Sequence, residues 1–310
     1  MSHVNLGRPI AIPKDKNKEF KELSSIPDYA WKTIILAVVS VGAVLLIDIN
    51  ALMGNISYLS ACLAVSIIYY WYFSVIHDSI HRSISKNKKL NDFIGQLAAS
   101  TFAPYATLPI FRWAHMEHHR FTNDEGDPDS YMHGSWWQLA FRWMTIDVYY
   151  ALRVFSAGTE QSKKAMRESV LRVSLGMVFI VAVIAAGYGY EFFMLVFLPS
   201  RIAFIGIGFS FFWLPHSHWP DDKEEISQAK NYTLATTVRL GYEGILNILL
   251  QYQNYHLIHH LWPTTPFYNN EKVWKLLEPE LRERDLAVTR NFDIYPIYEF
   301  ANSRGETKNA

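Results

Sequence analysis

Most histidines of this chain fall into three short clusters with helical spacing. Residues 77–81 have the sequence HDSIH, residues 115–119 have HMEHH, and residues 256–260 have HLIHH. Positions i, i+3 and i+4 lie on one face of an α-helix, so each cluster would point its imidazoles in one direction. Coincidence explains one such pair on a surface or in a core, whereas three clusters in one chain indicate a metal site.

The number and type of these residues narrow the kind of metal site. Structural zinc sites are usually rich in cysteine, and this chain has one cysteine, Cys62. Catalytic zinc keeps about three protein ligands, so eight imidazoles are too many for one zinc ion. There is no HExxH sequence to indicate a zinc hydrolase of that type. Two metal ions fit the number, but imidazole suits iron, zinc, copper and nickel alike, so the metal stays open.

The composition favours elements that lie in a membrane. Of the 310 residues, 50% are hydrophobic and only 19% are charged, and the formal net charge is zero. A soluble domain carries nearer ~25% charged residues, and a neutral chain is not typical of a general nucleic-acid binder. Four stretches approach the ~20 apolar residues that a spanning helix needs: 31–53, 56–76, 173–190 and 192–214.

These stretches predict two hairpins of transmembrane helices. The third and fourth spans are separated only by a minimal turn at Glu191. A fifth apolar stretch, 93–111, contains Pro104 and Pro109 and is interpreted as a dipping or partly buried segment. Residues 77–172 and 215–310 then lie on the same side as the N-terminus. The predicted fold is an all-α integral membrane protein with four spans and a cytosolic helical cap that carries the histidine clusters.

The distribution of basic residues predicts the orientation. The short outer turns near 50–56 and 189–192 contain no lysine or arginine. The positive-inside rule therefore places the other side in the cytoplasm; its basic residues include Arg82, Lys86, Lys88, Lys89, Lys163, Lys164 and Arg167.

Three further segments complete the predicted organisation. Residues 1–30 are polar, without a signal-peptide pattern, and are expected to be cytosolic, while 31–310 form one membrane-bound domain. Residues 136–155 form either an interfacial amphipathic helix or a packed helix of the cap. Arg201, within the fourth span, should face protein, in an ion pair or against a carboxylate headgroup.

The three clusters, their order and their placement relative to four spans resemble the membrane-bound fatty acid desaturase and hydroxylase superfamily. The resemblance covers roughly residues 55–270 and is nearest to the bacterial beta-carotene hydroxylase-like branch. It rests on QNYHLIHHLWPTTPFYN at 253–269, WLPHSHWP at 213–220 and HHRFTNDEGDPD at 118–129. Three residues separate His77 from His81, as in that branch and several desaturases, whereas animal acyl-CoA desaturases have four.

The resemblance implies a di-iron centre with dioxygen as co-substrate. One extra histidine between the second and third clusters would be His216, with His218 as the alternative. Asn254 would support the site directly or through water, unless it caps a helix. Asp78, Asp127 and Asp129 are candidates to accept a hydrogen bond from a ligand imidazole, although DPDS also suits a turn and a cap. The implied cluster ligands are His77, His81, His115, His118, His119, His256, His259 and His260.

The resemblance also implies oxidation of unactivated C–H bonds in a long-chain lipid. Fatty acyl desaturation comes first because it is the superfamily's commonest activity. Carotenoid ring hydroxylation, fatty acid hydroxylation and alkene-forming decarboxylation stay open. The chain has no HPGG haem-binding segment and no CxxC pair. A separate electron donor of the ferredoxin, rubredoxin or cytochrome b5 type is therefore expected. The protein itself is expected in a bacterial inner membrane.

Two other classes of function are compatible with clustered histidines, a metal transporter and a membrane zinc hydrolase. A transporter would place its ligands within the spans, near the middle of the bilayer. The three clusters instead lie at the ends of the predicted spans or beyond them.

Overall fold

The computed structural model describes residues 10–218 and 226–301, and most of them are helical. In chain order the helices are α1 (Asn17–Ser24), α2 (Trp31–Leu52), α3 (Tyr58–Ile80), α4 (Lys88–Phe102), α5 (Leu108–Phe121), α6 (Trp136–Met144), α7 (Ile146–Ala157), α8 (Glu160–Ala185), α9 (Gly189–Phe192), α10 (Leu198–Ile207), α11 (Glu243–Leu249), α12 (His256–Leu261) and α13 (Asn270–Leu281). The strands are β1 (Thr237–Leu240), β2 (Leu286–Arg290) and β3 (Ile297–Glu299).

The chain divides into two compact units. One, here called the span unit, consists of Pro27–Met116 and Tyr131–Phe209. The other, here called the terminal unit, combines the N-terminal residues up to Ile26 with Glu117–Ser130 and the chain from Ser210 onward.

Four helical stretches are long and apolar enough to cross a membrane within the described residues. They are Trp31–Leu52, Tyr58–Ile80, Glu160–Ala185 and Gly189–His216. The prediction of an all-α membrane protein with four spans is therefore confirmed. The third helix begins 13 residues before its predicted apolar start because α8 continues through the polar segment that precedes it.

The two hairpin connections are short, and each contains a residue that suits a turn or a helix cap. Ser57 caps α3 by accepting a hydrogen bond from the Ser60 amide at 3.0 Å. The second connection lies at Gly187, ahead of the predicted position, and Glu191 instead lies in α9. Gly187 has φ +93°, a conformation that glycine adopts without steric strain.

The apolar stretch 93–111 is divided between two helices, and its interpretation as a dipping or partly buried segment stays a prediction. Helices α4 and α5 have 15 and 14 residues, fewer than the ~20 that a span needs. Pro104 lies in the connection between them. Gly95 of α4 approaches α3 so closely that a Cβ atom there would lie 2.3 Å from the Ser79 Cβ. This approach fixes α4 against the histidine-bearing end of α3.

Residues 136–155 form two helices rather than one, with a break at Thr145. Both helices have large apolar side chains on their exposed and on their buried sides. Their exposed apolar side chains, led by Trp136 at 84% exposure, suit a bilayer interface, whereas the buried set packs on the span unit. The buried set is Trp143, Ile146, Tyr150 and Val154.

Arg201 faces protein and forms an ion pair, as one of its predicted roles required. Its guanidinium donates to both carboxylate oxygens of Asp147, at 2.9 and 2.8 Å. The Tyr105 hydroxyl donates to the same carboxylate at 2.6 Å. This bidentate geometry satisfies a charge that would be costly in lipid.

The terminal unit contains a small sheet that the sequence did not predict. Strand β1 pairs in parallel with β2, and β2 pairs antiparallel with β3. The core beside the sheet contains Tyr255, Trp274 and Leu277. Lys16 forms an ion pair with Glu280 at 2.6 Å, which holds the N-terminal segment on α13.

The make-up of the terminal unit constrains the membrane topology. It contains chain that precedes the first span, chain between the second and third, and chain that follows the fourth. One compact unit lies on one side of a bilayer, so these three parts lie together. Four spans in two hairpins meet that condition.

Candidate metal centre

Three histidines of the span unit come together at the end of α3. His77 lies in the last turn of α3, His81 directly follows that helix, and His115 lies on α5. The ring centroids of His115 lie 4.8 Å from those of His77 and His81, which are 5.1 Å from each other. All three side chains are buried. This triad brings together histidines from the first two clusters.

A network of backbone contacts holds the triad. The Arg112 guanidinium donates to the carbonyls of Ile80 at 3.0 Å and Ser79 at 2.8 Å, and to Asp92 at 2.6 Å. Asn91 donates to the Ser79 carbonyl at 2.9 Å. These donors satisfy the carbonyls at the end of α3, which a helix leaves without partners. Arg112 lies one turn before His115, so it joins the two histidine-bearing helices.

Asp78 lies between His77 and His81 in the sequence. Its carboxylate accepts a hydrogen bond from the Thr33 hydroxyl at 2.8 Å, and both residues are buried. This contact ties α2 to the histidine-bearing end of α3. The expectation that Asp78 orients a ligand imidazole stays a prediction.

Four histidines of the terminal unit point their Nε2 atoms at one place. His118 lies on α5, His216 ends the fourth apolar helix, and His256 and His260 lie on α12. The Nε2 separations are 3.3 Å for His118 and His260, 3.0 Å for His216 and His256, and 3.1 Å for His256 and His260. All four ligand atoms lie within 4.8 Å of one another. We call this group the quartet.

The Nδ1 partners indicate which nitrogens of the quartet carry lone pairs. His118 Nδ1 faces Asp127 at 3.0 Å, and His256 Nδ1 faces the Gln253 Oε1 at 2.6 Å. Both partner atoms accept, so each Nδ1 carries a proton, and in the neutral imidazole the lone pair then lies on Nε2. His260 Nδ1 faces the Thr122 hydroxyl at 3.4 Å, and that hydroxyl already donates to the His118 carbonyl.

Lone pairs that converge at these separations repel one another unless a cation lies between them. Nitrogens bound to one ion at about 2.1 Å lie roughly 3.0 to 3.4 Å apart at octahedral or tetrahedral angles. The three Nε2 separations given above, 3.0 to 3.3 Å, match that range, and all four atoms lie within 4.8 Å of one another. The donor set and its spacing therefore fit a transition-metal ion.

Two carboxylates lie behind His118. Besides Asp127, Asp129 approaches the same Nδ1 at 3.4 Å. Burial acts to lower the pKa of His118, but these two carboxylates outweigh it and raise the pKa to about 9. Asp127 also accepts from the amides of Asn123 and Asp129 at 2.9 and 2.8 Å. Its turn role and its contact with a ligand imidazole thus occur together.

His119 and His259 form a separate pair in the terminal unit. Their Nε2 atoms lie 2.9 Å apart, and both side chains are buried. Gln228 donates to the His119 carbonyl at 3.0 Å and fixes the end of α5 at this point. The third cluster thus contributes to two groups within one unit.

His218 and Asn254 occupy different surroundings from the quartet histidines. His218 stacks on Tyr298, and its Nδ1 lies 3.1 Å from the tyrosine hydroxyl. Asn254 donates to Asn247 at 2.9 Å, and the adjoining helix α12 has no side-chain cap. Its Oδ1 is buried and has no hydrogen-bond partner within 10–218 and 226–301. Of the two candidates for the extra ligand, His216 is the one that joins the quartet.

Sequence reasoning missed several polar residues that contact the histidines. Gln253 and Thr122 face the Nδ1 atoms of His256 and His260, and Gln228 holds His119. The available signal was spacing. Gln253 precedes His256 by three residues, which places it beside its partner on a helical turn. Thr122 follows His118 by four and donates to its carbonyl, whereas no spacing in the sequence indicates its contact with His260.

The class of protein is defined by four apolar helices with buried histidine groups, and comparison with known proteins gives the family. The fatty acid desaturase family model matches residues 53–292. The chain therefore belongs to the fatty acid desaturase family.

Individual relatives include both lipid desaturases and carotenoid ketolases. A chloroplastic omega-6 fatty acid desaturase of Brassica napus is 26% identical over 80% of this chain and 60% of its own length. The beta-carotene ketolase of Paracoccus sp. (strain N81106 / MBIC 01143) is 27% identical over 63% of this chain and 70% of its own. The sn-1 oleoyl-lipid 12-desaturase of Picosynechococcus is 28% identical over 66% of this chain and 64% of its own. The chain thus matches less than two thirds of the omega-6 desaturase's length.

Proposed function

We propose that the protein is an O2-dependent non-haem di-iron enzyme that desaturates a fatty acyl chain. The observation that carries the proposal is the convergence of four Nε2 atoms in the quartet, in a chain of the fatty acid desaturase family. Iron bound there would supply, with dioxygen, the oxidising power to remove hydrogen from an unactivated C–H bond. The protein's own part is ligation, orientation and exclusion of water.

The proposed ligands are the nine histidines of the three groups. The quartet would hold one ion and the triad of His77, His81 and His115 would contribute to the other. His119 and His259 complete the set of nine. Asp127 and Gln253 keep the Nδ1 protons of His118 and His256 in place, which leaves each Nε2 free to bind metal. Asp78, Asp129 and Asn254 support the set in this proposal, whereas His218 is not a ligand.

Family relatives support a lipid substrate from the bilayer. Two of the relatives described above are named as fatty acid or oleoyl-lipid desaturases. A second candidate is oxidation of a carotenoid ring, which is favoured by the ketolase match over 70% of that relative's length. Hydroxylation of a fatty acid and alkene-forming decarboxylation are further reactions that the same oxidising centre would support.

The proposal includes a separate electron donor and a membrane orientation. The donor would be a ferredoxin, a rubredoxin or a cytochrome b5 type protein. We propose that the histidine groups and both termini face the cytoplasm of a bacterial inner membrane. The support is the basic residues on that side of the four spans and their absence from the outer turns.

The test is expression with an electron donor in two hosts, one supplied with fatty acids and one that makes beta-carotene. Products are identified by mass spectrometry, and iron is measured on the purified protein. We expect a new double bond and about two irons per chain. An oxygenated carotenoid would indicate carotenoid oxidation instead of desaturation. A hydroxy acid would likewise indicate hydroxylation, and an alkene one carbon shorter would indicate decarboxylation. An iron-loaded protein without any product would overturn the proposal.

A matched pair of variants tests the site. His256→Ala removes a quartet ligand and should abolish the product while the protein stays in the membrane. His218→Gln alters a histidine that contacts Tyr298 instead, and most activity should remain. Full activity of His256→Ala would contradict the assignment of the quartet.

A further inference from the structure

We propose that helix α11 of the terminal unit binds the surface of the bilayer through its exposed apolar side. The occupant of this surface is lipid, in the same membrane that the four apolar helices cross. This contact would be a membrane attachment additional to the spans and to the interfacial helices α6 and α7.

One side of α11 exposes large apolar side chains with helical spacing. Tyr242 directly precedes the helix and Ile245 and Ile248 follow at intervals of three residues, with exposed fractions of 57%, 55% and 58%. Leu249 lies beside them and is half exposed. Positions three and four apart lie on one side of a helix, so these residues form one apolar stripe.

The buried side of α11 places the helix next to a spanning segment. Leu246 and Leu250 form an apolar cluster with Leu214, and Trp213 packs against it. Trp213 and Leu214 belong to the last turns of the fourth apolar helix, Gly189–His216. The buried side of α11 therefore packs on the last turns of an apolar helix that is long enough to cross the bilayer.

The polar groups of α11 are directed away from the stripe. Glu243 is the one ionisable residue in the α11 sequence EGILNIL, and its carboxylate accepts from the Gly241 amide at 2.7 Å. Asn247 donates to Glu271 of α13 at 2.8 Å. The stripe thus has no charge that must be removed from water when it enters lipid.

Two aromatic rings extend the apolar side. Phe292 is 66% exposed and stacks on Tyr242 with ring centroids 5.6 Å apart. Tyrosine suits the membrane interface because its ring is apolar and its hydroxyl can stay with water. Exposed apolar side chains grouped in this way typically mark an interaction surface.

The experiment measures lipid contact directly in the full-length protein. A Cys62→Ala background removes the single native cysteine. Nitroxide labels are attached at Ile245→Cys or Ile248→Cys in vesicles of phosphatidylcholine and phosphatidylglycerol. Collision rates are then measured with oxygen, which dissolves in lipid, and with a nickel chelate, which stays in water. Leu46→Cys, exposed on the first span, serves as the lipid reference, and Lys272→Cys on α13 serves as the water reference.

The expected result is a higher collision rate with oxygen than with the nickel chelate at positions 245 and 248, as at position 46. A chelate-dominated pattern like that of position 272 would overturn the proposal. Low collision rates with both reagents would also overturn it, because another protein surface would then cover the stripe. The labelled side chains are exposed, so the substitutions leave the packing of α11 intact, and the readout is independent of enzymatic activity.

Discussion

At the scale of single residues, the four imidazoles of the quartet repel one another in the protein without metal. Neutral imidazoles would direct several lone pairs at one another across about 3 Å. A proton on His118 relieves that repulsion, and the carboxylates of Asp127 and Asp129 favour it. A metal ion bound at the proposed site would therefore compete with this proton for the same nitrogen.

This competition predicts a pH dependence of metal binding. The pKa of His118 is raised from 6.5 to about 9, so the metal-free protein carries a proton there at neutral pH. Binding must displace this proton, so the apparent affinity for Co2+ should rise about tenfold per pH unit from pH 7 to 9 and then level off. Titrations of metal-free protein at several pH values measure this. Asp127→Asn removes one favourable charge, so the apparent affinity of this variant for Co2+ should level off at lower pH. An affinity that does not change with pH in the parent protein would contradict the prediction.

A second prediction concerns Gln253, which accepts from His256 Nδ1 at 2.6 Å. Gln253→Leu removes the acceptor and allows the imidazole to change tautomer or turn. Metal affinity should fall by about 10- to 100-fold, as is typical for residues that orient ligands. Gln253→Glu keeps an oxygen at this place and is the matched control. Equal affinities of Gln253→Leu and the parent protein would show that the contact does not orient His256.

The sequence predicted the residues of the site better than their partners. Histidine clusters are rare, and the helical spacing within each cluster is visible in the sequence. The candidate ligands could therefore be predicted from residue type and position alone. Gln253 and Thr122 are ordinary polar residues, and only the fold brings their oxygens to particular Nδ1 atoms. The choice between His216 and His218 depends on the tight turn at 214–216, which directs one ring to the quartet and the other to Tyr298.

At the scale of elements, the contact between α3 and α4 fixes the triad. Gly95→Ala would place a methyl group 2.3 Å from the Ser79 Cβ and 2.9 Å from Leu108, so the end of α3 must shift. We expect a loss of about 1 to 3 kcal/mol in the free energy of unfolding and reduced metal content. Denaturation in detergent and metal analysis measure both effects.

Gly42→Ala on α2 is the control for this variant. A Cβ at Gly42 meets nothing within 4 Å, so alanine should stabilise that helix slightly. If the two variants have the same stability, then the close approach of α4 to α3 is not a constraint on the site.

The spans followed from composition, but the sheet did not. A run of apolar residues indicates a spanning helix locally, whereas β1 and β2 have four and five residues. They pair in parallel across an intervening segment that contains three helices, so no hairpin turn marks them in the sequence. The break of 136–155 into two helices was likewise hidden, because no proline or glycine marks it in the sequence.

At the scale of the whole molecule, the make-up of the terminal unit predicts how the chain lies across the membrane. Lys18→Cys and Lys272→Cys should react from one side of sealed vesicles, and Asn55→Cys from the other, in a Cys62→Ala background. The reason is that 55 lies between the first two spans, whereas 18 and 272 belong to one compact unit. Labelling with a membrane-impermeant maleimide in inside-out and right-side-out vesicles measures this. Reaction of 18 and 272 from opposite sides would rule out an even number of spans.

The ion pair of Arg201 has a consequence for biosynthesis. Its acceptors lie earlier in the chain, Asp147 by 54 residues and Tyr105 by 96. When the ribosome delivers Arg201 to the membrane, both acceptors have therefore already been made. The reverse order would leave a lone guanidinium among lipid chains until its acceptor was translated. The direction of translation thus supplies the counter-charge before the last span enters the membrane.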